Sequence, residues 1–304
     1  MGLVTYDSLE NAVKGCFGKE IAIEDSSYVG GGDINDSRCL YLSNGKKVFV
    51  KLNTVNNSGF FDAEETGLAA IASTGAIATP VLLAKGIDEK LRQSFLMMEM
   101  IERTRSSNDC WEVFGQELAA MHKADTASFT NGRRFGFCSS NYIGASSQIN
   151  TPMDSWIDFF RQCRLEPQFK RAEKHFAGNF IPKIIKFLER LDHILTEPLY
   201  PSLLHGDMWS GNIMTGPDGK MMLIDPAVYV GCAEADIAMT ELFGSLPGSF
   251  YASYKNAGDI GEGYEGRRDI YNLYHILNHL NLFGRSYLSG VVRIVERYYN
   301  ISML

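Results

Sequence analysis

One segment limits the fold of this chain more than any other: residues 203–212, with the sequence LLHGDMWSGN. A short apolar run leads into a glycine-containing loop that has the spacing H-x-D-x-x-x-x-N and contains Asp207 and Asn212. Residues 213–224 then predict a β-hairpin, because a Gly-Pro-Asp-Gly turn separates two apolar runs. The hairpin ends at Asp225, so it returns a second carboxylate to the side of Asn212.

This spacing is that of a phosphotransferase catalytic loop. In such a loop, Asp207 would take the proton of the acceptor hydroxyl, and Asn212 would turn back to coordinate Mg²⁺ on the phosphates. Asp225 stands where the metal-chelating aspartate belongs, and His205 is predicted to brace the loop rather than to transfer protons. Either half alone would also fit an Asx-turn loop or a helix-capping aspartate. The hairpin between them favours the catalytic interpretation.

A lysine inside an apolar strand is the second informative feature. Along residues 48–52, alternation puts Phe49 and Lys51 on one face of the strand. A lone lysine of this kind commonly extends its ammonium group to solvent. The following helix favours a different interpretation, because Glu64 shares its apolar stripe and a buried carboxylate needs a cationic partner. We expect Lys51 to pair with Glu64 and to contact the α- and β-phosphates of ATP.

Two main-chain elements complete the predicted nucleotide site. A glycine run lies where a loop covering the phosphates belongs, although three glycines also suit a simple turn, and no Gly-Lys-Ser/Thr follows as in a Walker A loop. The apolar run 95–101 predicts a strand that leads into the second half of the chain, and its backbone at Glu99 and Ile101 would contact the adenine edge. The glycines of the run are Gly30, Gly31 and Gly32.

The apolar pattern changes character near residue 101. Residues 1–101 alternate short strand-like runs with helix, whereas residues 102–304 contain mainly helical stripes. This pattern predicts an α+β chain with a small β-rich N-terminal lobe (1–101) that binds nucleotide. The larger, mainly helical C-terminal lobe (102–304) would carry the catalytic and substrate residues.

Composition excludes several classes of protein. A net charge of −7 over 304 residues rules against a nucleic-acid binder that relies on a broad basic face. No apolar run reaches the roughly 18 residues of a membrane helix, and the N-terminus is polar and acidic, unlike a secretory signal. The six cysteines lack zinc-type spacing, so reduced thiols and a cytoplasmic location are expected.

Together these residues resemble the fructosamine kinase (ketoamine 3-kinase) family, which is itself similar to aminoglycoside and choline kinases. The resemblance covers nearly the whole chain, and the Trp-Ser-Gly-Asn ending of the catalytic loop is its most specific part, because the related antibiotic and choline kinases usually have other residues there. Other matching segments are GGGDIN (30–35), FVKL (49–52), FFDAE (60–64), NYIG (141–144), DPA (225–227), EADIAM (234–239), LFG (242–244) and LYHILNH (273–279).

The resemblance implies a two-lobed protein-kinase-like fold. It also implies ATP- and Mg²⁺-dependent phosphorylation of the third-carbon hydroxyl of the sugar in ketoamines such as ribulosamines or fructosamines, either small or attached to protein. The phosphorylated adduct would then eliminate and free the amine, which links the family to deglycation. By position, Trp209 matches an aromatic residue beside the sugar, and Asp236 matches a helix residue that braces the catalytic loop.

Two positions depart from the family pattern. Asp33 stands where some members have a cysteine, so a redox switch is not expected there, and Cys232-Ala233 replaces a His-Arg pair near the substrate entrance. Two other functions stay open on the sequence alone: a kinase for another small molecule, such as an aminoglycoside or choline, and a catalytically inactive nucleotide-binding module. The sequence also leaves the preferred sugar and the oligomeric state open.

Overall fold

The N-terminal part of the chain forms one six-stranded sheet with two helices packed on it. The structure is a computed structural model that describes residues 2–30, 35–102 and 104–300. The strands are β1 (Thr5–Tyr6), β2 (Ile23–Tyr28), β3 (Asp36–Leu42), β4 (Lys47–Thr54), β5 (Leu82–Asp88) and β6 (Gln93–Glu99). Their order is β1-β5-β6-β4-β3-β2; β1 pairs with β5 in parallel, and every other pair is antiparallel.

The alternation predicted for β4 is present and separates the two helices. Val50 and its neighbours on the same face pack against α1 (Leu9–Phe17), while Phe49 belongs to the cluster on the face of α2 (Ser58–Ser73). Lys51 is on the α2 side as well, since its ammonium reaches Glu64 of that helix. The predicted Asn-Gly turn joins β3 to β4, and Gly45 takes the left-handed φ of +79° that such a turn requires.

The described residues after β6 are mostly helical and include three short antiparallel ladders, two of them hairpins and the third formed by strands far apart in the sequence. The antiparallel pairs are β7 with β8, β9 with β12, and β10 with β11. Their strands are β7 (Asn141–Ile143), β8 (Ser146–Gln148), β9 (Ser202–Leu204), β10 (Ile213–Thr215), β11 (Met221–Leu223) and β12 (Tyr229–Gly231). The helices are α3 (Cys110–His122), α4 (Trp156–Phe159), α5 (Glu166–Ala172), α6 (Ile181–Glu189), α7 (Leu191–Ile194), α8 (Glu234–Leu242), α9 (Gly248–Ala257), α10 (Tyr264–Phe283) and α11 (Leu288–Tyr298).

The helical part has one large apolar core, and α10 runs through it. A six-residue π-helix, Phe160–Leu165, joins α4 to α5 and carries the buried Arg164, whose guanidinium lies 3.9 Å from the ring centroid of Tyr229. A β-sheet region followed by a helical region confirms the predicted α+β architecture. Across the described residues, the structure contains no helix with the length and apolarity needed to cross a bilayer.

Candidate active site

The predicted catalytic loop connects β9 to β10, and β11 leads on to Asp225. The side-chain amide of Asn212 donates to the main-chain oxygen of Asp207 at 2.9 Å and to its carboxylate Oδ2 at 3.0 Å. The backbone N–H of Ile224 donates to the carbonyl of Asn212 at 3.1 Å. The two ends of the hairpin therefore lie side by side and bring Asp207, Asn212 and Asp225 into one cluster.

The loop packs directly on the chain that follows Asp225. Gly206 has a φ of +80°, and a Cβ at this residue would overlap the carbonyl oxygen of Ala227. The N–H of Ala227 in turn donates to the carbonyl of His205 at 2.8 Å. This close approach explains why a glycine stands between His205 and Asp207.

His205 holds the loop through both ring nitrogens. Its Nε2–H donates to the carbonyl of Ile224 at 2.9 Å, and its Nδ1 accepts the backbone N–H of Asp207 at 3.3 Å. The ring is fully buried, and burial lowers the pKa of His205 below its ordinary value. A neutral imidazole with both nitrogens engaged fits a bracing role.

Asp236, near the start of α8, accepts two main-chain hydrogen bonds from the loop. Its carboxylate takes the N–H of His205 at 2.7 Å and the N–H of Gly206 at 2.9 Å, and it also accepts Nε2–H of His122 at 3.2 Å. Burial alone would raise the pKa of Asp236, but His122 and the other hydrogen-bond donors outweigh it and hold the pKa below its usual range. The side chain thus acts as a charged anchor for the loop.

Lys51 reaches two carboxylates. Its Nζ lies 2.6 Å from Oε1 of Glu64 and also contacts Oδ1 of Asp225. Burial of the ammonium would lower the pKa of Lys51, but the two carboxylates outweigh burial and raise it. The predicted Lys51–Glu64 pair is therefore present, and the ammonium joins the sheet to the end of the β10–β11 hairpin.

The two aspartates of the cluster differ in environment. Burial, together with the charges of Asp225 and Asp236, raises the pKa of Asp207 to about 7, against the lowering influence of the Asn212 amide. Asp225 is more open, with 41% of its side chain exposed. It also takes a φ of +54°, a left-handed conformation that is uncommon for a residue other than glycine.

Oxygen donors for a cation come from Asp225 and Asn212. Within the described ranges, no three histidine, cysteine, aspartate or glutamate side chains are arranged to hold a metal ion. Because the Nδ2 of Asn212 donates to Asp207, its amide oxygen is left as an electron-pair donor. Carboxylate and amide oxygens suit Mg²⁺, which usually takes one or two protein ligands and completes its shell with phosphate and water.

Trp209 lies at the surface of the loop, 38% exposed. Its indole ring covers Gly211, where a Cβ would overlap the Cη2 and Cζ2 atoms of the ring. The side chain therefore presents an aromatic face two residues from Asp207. The absence of a side chain at residue 211 allows this ring position.

The predicted nucleotide-contacting backbone is only partly described. Gly30 is exposed in the connection between β2 and β3, whereas Gly31 and Gly32 lie outside the described residues. Glu99 ends β6, and its N–H donates to the carbonyl of Val81 at 2.9 Å, so this N–H is already engaged within the protein. Ile101 follows two residues later and is half-buried.

A cavity of about 580 Å³ lies beside the segment from Glu99 to Ile101, on the face of the sheet that packs against α1. Its lining includes Val48, Leu83, Glu99 and Ile101. Val48 packs with α1, on the face of β4 opposite to Lys51. The cavity is therefore separate from the cluster that contains Lys51.

Two residues that the motif reasoning did not single out hold the chain after Asp225. Gln148 Nε2 donates to the carbonyl of Ala227 at 2.9 Å, and Asn141 Nδ2 donates to the carbonyl of Val228 at 2.7 Å. Both are polar residues in three-residue strands, far from the loop in sequence. No periodicity or motif spacing marks them, and only the family resemblance points to the NYIG segment that contains Asn141.

Comparison with solved structures defines the class of the fold. A candidate fructosamine-3-kinase from Haemophilus somnus 129PT superposes with a TM-score of 0.85 at 26% identity, and the match covers 96% of each chain. Spectinomycin phosphotransferase APH(9)-Ia, solved with ADP and spectinomycin, superposes with a TM-score of 0.55 over 96% of this chain and 92% of its own; at 14% identity it bears on the fold alone. The fold is that of the protein-kinase-like phosphotransferases.

Sequence comparison is more specific. The model of the fructosamine kinase family matches residues 6–301. A candidate ketoamine kinase from Synechocystis sp. is 38% identical over 298 residues, which cover 96% of each chain. A chloroplastic protein-ribulosamine 3-kinase from Oryza sativa subsp. indica is 38% identical over 284 residues, 92% of this chain and 80% of that protein. The chain belongs to the fructosamine kinase family, which confirms the predicted relationship.

Proposed function

We propose that this protein is an ATP-dependent ketoamine kinase that phosphorylates the third-carbon hydroxyl of the sugar in ribulosamines or fructosamines. The observation that carries the proposal is one cluster in which Asp207 bonds Asn212, while Lys51 joins Glu64 to Asp225. The substrate class follows the relatives, which are named as ketoamine kinases and as a protein-ribulosamine 3-kinase.

Asp207 is the proposed catalytic base. A carboxylate whose pKa is raised to about 7 can accept a proton from the sugar hydroxyl at neutral pH, because a base works best when its pKa is near the working pH. The Asn212 amide fixes the orientation of this carboxylate. Trp209, with its exposed ring, is the proposed stacking surface for the sugar.

Lys51 is the proposed phosphate anchor, and Glu64 holds its ammonium in place. In the bound state, Lys51 would exchange its contact with Asp225 for contacts with the α- and β-phosphates. The backbone of Glu99 and Ile101 would bind the adenine edge. The glycines proposed to cover the phosphates are Gly30, Gly31 and Gly32, and residues 1–101 would form the nucleotide-binding lobe, with residues 102–304 as the catalytic lobe.

Asp225 and Asn212 fit Mg²⁺ because both offer hard oxygen donors and Asp225 is open to solvent. A bound Mg²⁺ ion would neutralise charge on the transferring phosphates. His205 and Asp236 hold the loop that carries Asp207 and would take no part in the chemistry. We also propose a cytoplasmic location, which the six free cysteines support.

The test is ADP release from Mg-ATP with a panel of acceptors: ribulosamine, fructosamine, choline and an aminoglycoside. We expect release with the ketoamines, and mass spectrometry of the product should locate the phosphate on the third carbon. Release only with choline or the aminoglycoside would keep the kinase and reject the substrate class. Binding of ATP without release for any acceptor would favour the inactive nucleotide-binding module.

A further inference from the structure

The β7–β8 hairpin contacts both sides of the candidate active site while contributing no side chain to it. On one side, Gln148 donates to the carbonyl of Ala227 at 2.9 Å, and Asn141 donates to the carbonyl of Val228 at 2.7 Å. These are consecutive carbonyls, two and three residues after Asp225. The hairpin therefore fixes the main chain that carries the proposed metal-binding carboxylate.

The two amides are themselves held rigidly. Gln148 Nε2 also donates to Asn141 Oδ1 at 2.8 Å, and the hydroxyl of Tyr274 donates to Gln148 Oε1 at 2.6 Å. Asn150 Nδ2 donates to Asn141 Oδ1 at 2.9 Å. Asn141 and Gln148 are 5% and 2% exposed, so neither amide can turn to water without breaking buried hydrogen bonds. The anchor on the Asp225 side is thus a closed polar network.

On its other side, the hairpin holds the start of α2. The ring of Tyr142 stacks on the ring of Phe60, with centroids 3.9 Å apart and planes 20° apart. The Tyr142 hydroxyl lies close above Gly59, 3.3 Å from where a Cβ would stand. Phe60 precedes Glu64 by four residues, about one helical turn, so the two side chains project from the same face of α2. A ring stacked on Phe60 thereby restrains the rotation of the helix at Glu64.

α2 also touches the Asp225 segment directly. A Cβ at Gly67 would stand 3.1 Å from Cγ of Pro226 and 3.4 Å from Cγ2 of Val228. This contact lies on the C-terminal side of Glu64, and the Tyr142 stack lies on its N-terminal side. Contacts on both sides of Glu64 therefore fix α2: one joins it to the β7–β8 hairpin, and the other joins it to the chain that follows Asp225.

We propose that the β7–β8 hairpin, through Tyr142 and Gln148, is the positioning element that keeps Glu64 and Asp225 at the spacing that Lys51 bridges. Because the β7–β8 hairpin contacts both α2 and the segment after Asp225, Glu64 and Asp225 are already at this spacing before a nucleotide binds. This inference rests on the proposed function, in which Lys51, held between Glu64 and Asp225, anchors the phosphates of the nucleotide. Tyr142 and Gln148 are positioning residues, since they act through α2 and through the main chain after Asp225.

The first test measures the dissociation constant for Mg-ADP by isothermal titration calorimetry. Tyr142→Ala should weaken binding about five- to tenfold, the loss expected when a stacked aromatic pair is removed, while Tyr142→Phe keeps the ring and should bind as the wild type does. Phe176→Ala is the matched control, because Phe176 stacks on Phe180 at 5.6 Å in a part of the fold without site residues. It should lower the melting temperature and leave the dissociation constant unchanged.

The second test is a double-mutant cycle with Glu64→Gln. If Tyr142 acts by positioning Glu64, its loss should cost much less once the Glu64 charge is gone. Equal losses in the two backgrounds, or unchanged Mg-ADP binding by a folded Tyr142→Ala protein, would overturn the proposal. An equal loss of binding in Phe176→Ala would overturn it as well, because the effect would then be general destabilisation.

Tyr142→Leu keeps apolar contact with Phe60 and replaces Tyr142→Ala if the alanine variant does not fold. The proposed kinase function and the positioning role of the hairpin would be contradicted by different results. A wild-type protein that binds no Mg-ADP would contradict the proposed function itself. A wild-type protein that binds Mg-ADP and phosphorylates ketoamines, with Tyr142 variants indistinguishable from it, would contradict only the role of the hairpin.

Discussion

The Nζ atom of Lys51 lies 2.6 Å from Oε1 of Glu64, and both side chains are about nine-tenths buried. The same ammonium contacts Asp225, which is 174 residues away in the sequence. One cation therefore joins the sheet, α2 and the β10–β11 hairpin. Because an ammonium removed from water needs compensating charge, each of these carboxylates contributes to keeping Lys51 protonated and in place.

Glu64→Gln should impair nucleotide use more than folding. The neutral amide can still accept a hydrogen bond, but Asp225 then becomes the only carboxylate partner of Lys51 among its described contacts. Lys51 should stay on Asp225 and compete with Mg²⁺ for that carboxylate. We expect kcat/KM for Mg-ATP to fall about a hundredfold, the scale of loss caused by misplacing a positioned group, as measured by steady-state kinetics with varied Mg-ATP.

Glu65→Gln provides the control for this prediction. Glu65 is the next residue of α2 and pairs with Lys85 of β5 at 2.6 Å rather than with a residue of the cluster. Its loss should change kcat/KM for Mg-ATP by less than about twofold, because the Glu65–Lys85 pair shares no ion-pair partner with Lys51 among the described residues and separate sites act nearly independently. Equal effects of the two substitutions would contradict a specific role for Glu64.

Asp207→Asn should give an inactive protein that is more stable than the wild type when Mg²⁺ and nucleotide are absent. Loss of a general base typically costs 10²–10⁴-fold in turnover, so we expect roughly a thousandfold lower kcat with Mg-ADP affinity largely kept. The gain in stability follows from the raised pKa of Asp207, because the fold disfavours its ionised form.

The pH dependence of that gain has a defined sign. The unfolded carboxyl loses its proton near pH 4, whereas in the fold it keeps the proton up to about pH 7. Stability due to this group is therefore fully present below about pH 4 and is lost progressively as the pH rises from about 4 to about 7. Thermal unfolding without Mg²⁺ should show Asp207→Asn stabilised at pH 8, by on the order of a few kcal/mol at most, and stabilised by only about a third as much at pH 5. A gain of the same size at both values would contradict the assignment.

The cluster of the candidate catalytic loop could be predicted from the sequence because its members are close together. Asp207 and Asn212 are five residues apart, and a recognisable turn returns the chain to Asp225. The Lys51–Glu64 pair was also predictable, because strand alternation indicates the face of β4 on which Lys51 lies and helix periodicity indicates the face of α2 on which Glu64 lies. The α+β division followed from the same two periods.

Contacts between distant segments could not be predicted in this way. Periodicity assigns a face but does not identify the partner, so the contact of Lys51 with Asp225 and the amides of Asn141 and Gln148 left no local signal. The left-handed backbone of Asp225 is equally hidden, because nothing in its neighbours requires it. These features depend on tertiary contacts between segments that are far apart in the sequence, so they are visible only in the folded structure.

Gly206→Ala should be among the most destabilising substitutions in the loop. The alanine would have to keep a φ of +80° and push its Cβ into the carbonyl oxygen of Ala227. Gly132→Ala is a close match in backbone, with a φ of +82°, but nothing stands within 4 Å of its Cβ position. In urea unfolding we expect a loss of about 4 kcal/mol or more at Gly206 and about 1 kcal/mol at Gly132; similar losses would mean that the loop can move away from Ala227.

Gly211→Ala should weaken binding of the ketoamine acceptor without weakening binding of the nucleotide. The new methyl group would occupy the space of the Trp209 ring, so the indole has to leave its position over the loop. Since the main chain here need not adopt a glycine-only conformation, the fold should tolerate the change with a small shift in melting temperature. We expect KM for the ketoamine to rise about tenfold, as lost ring stacking on the sugar would give, with KM for Mg-ATP unchanged.

Trp209→Phe is the companion variant for this last prediction. A smaller ring retains an aromatic face and relieves the crowding at residue 211, so the double variant Trp209→Phe with Gly211→Ala should recover part of the lost ketoamine affinity. Both KM values come from the same initial-rate assay, with one substrate varied at saturating concentration of the other. An equal rise in KM for Mg-ATP in Gly211→Ala would show that the substitution disturbs Asn212 and the phosphate side instead, and Trp209 would lose its assigned role beside the sugar.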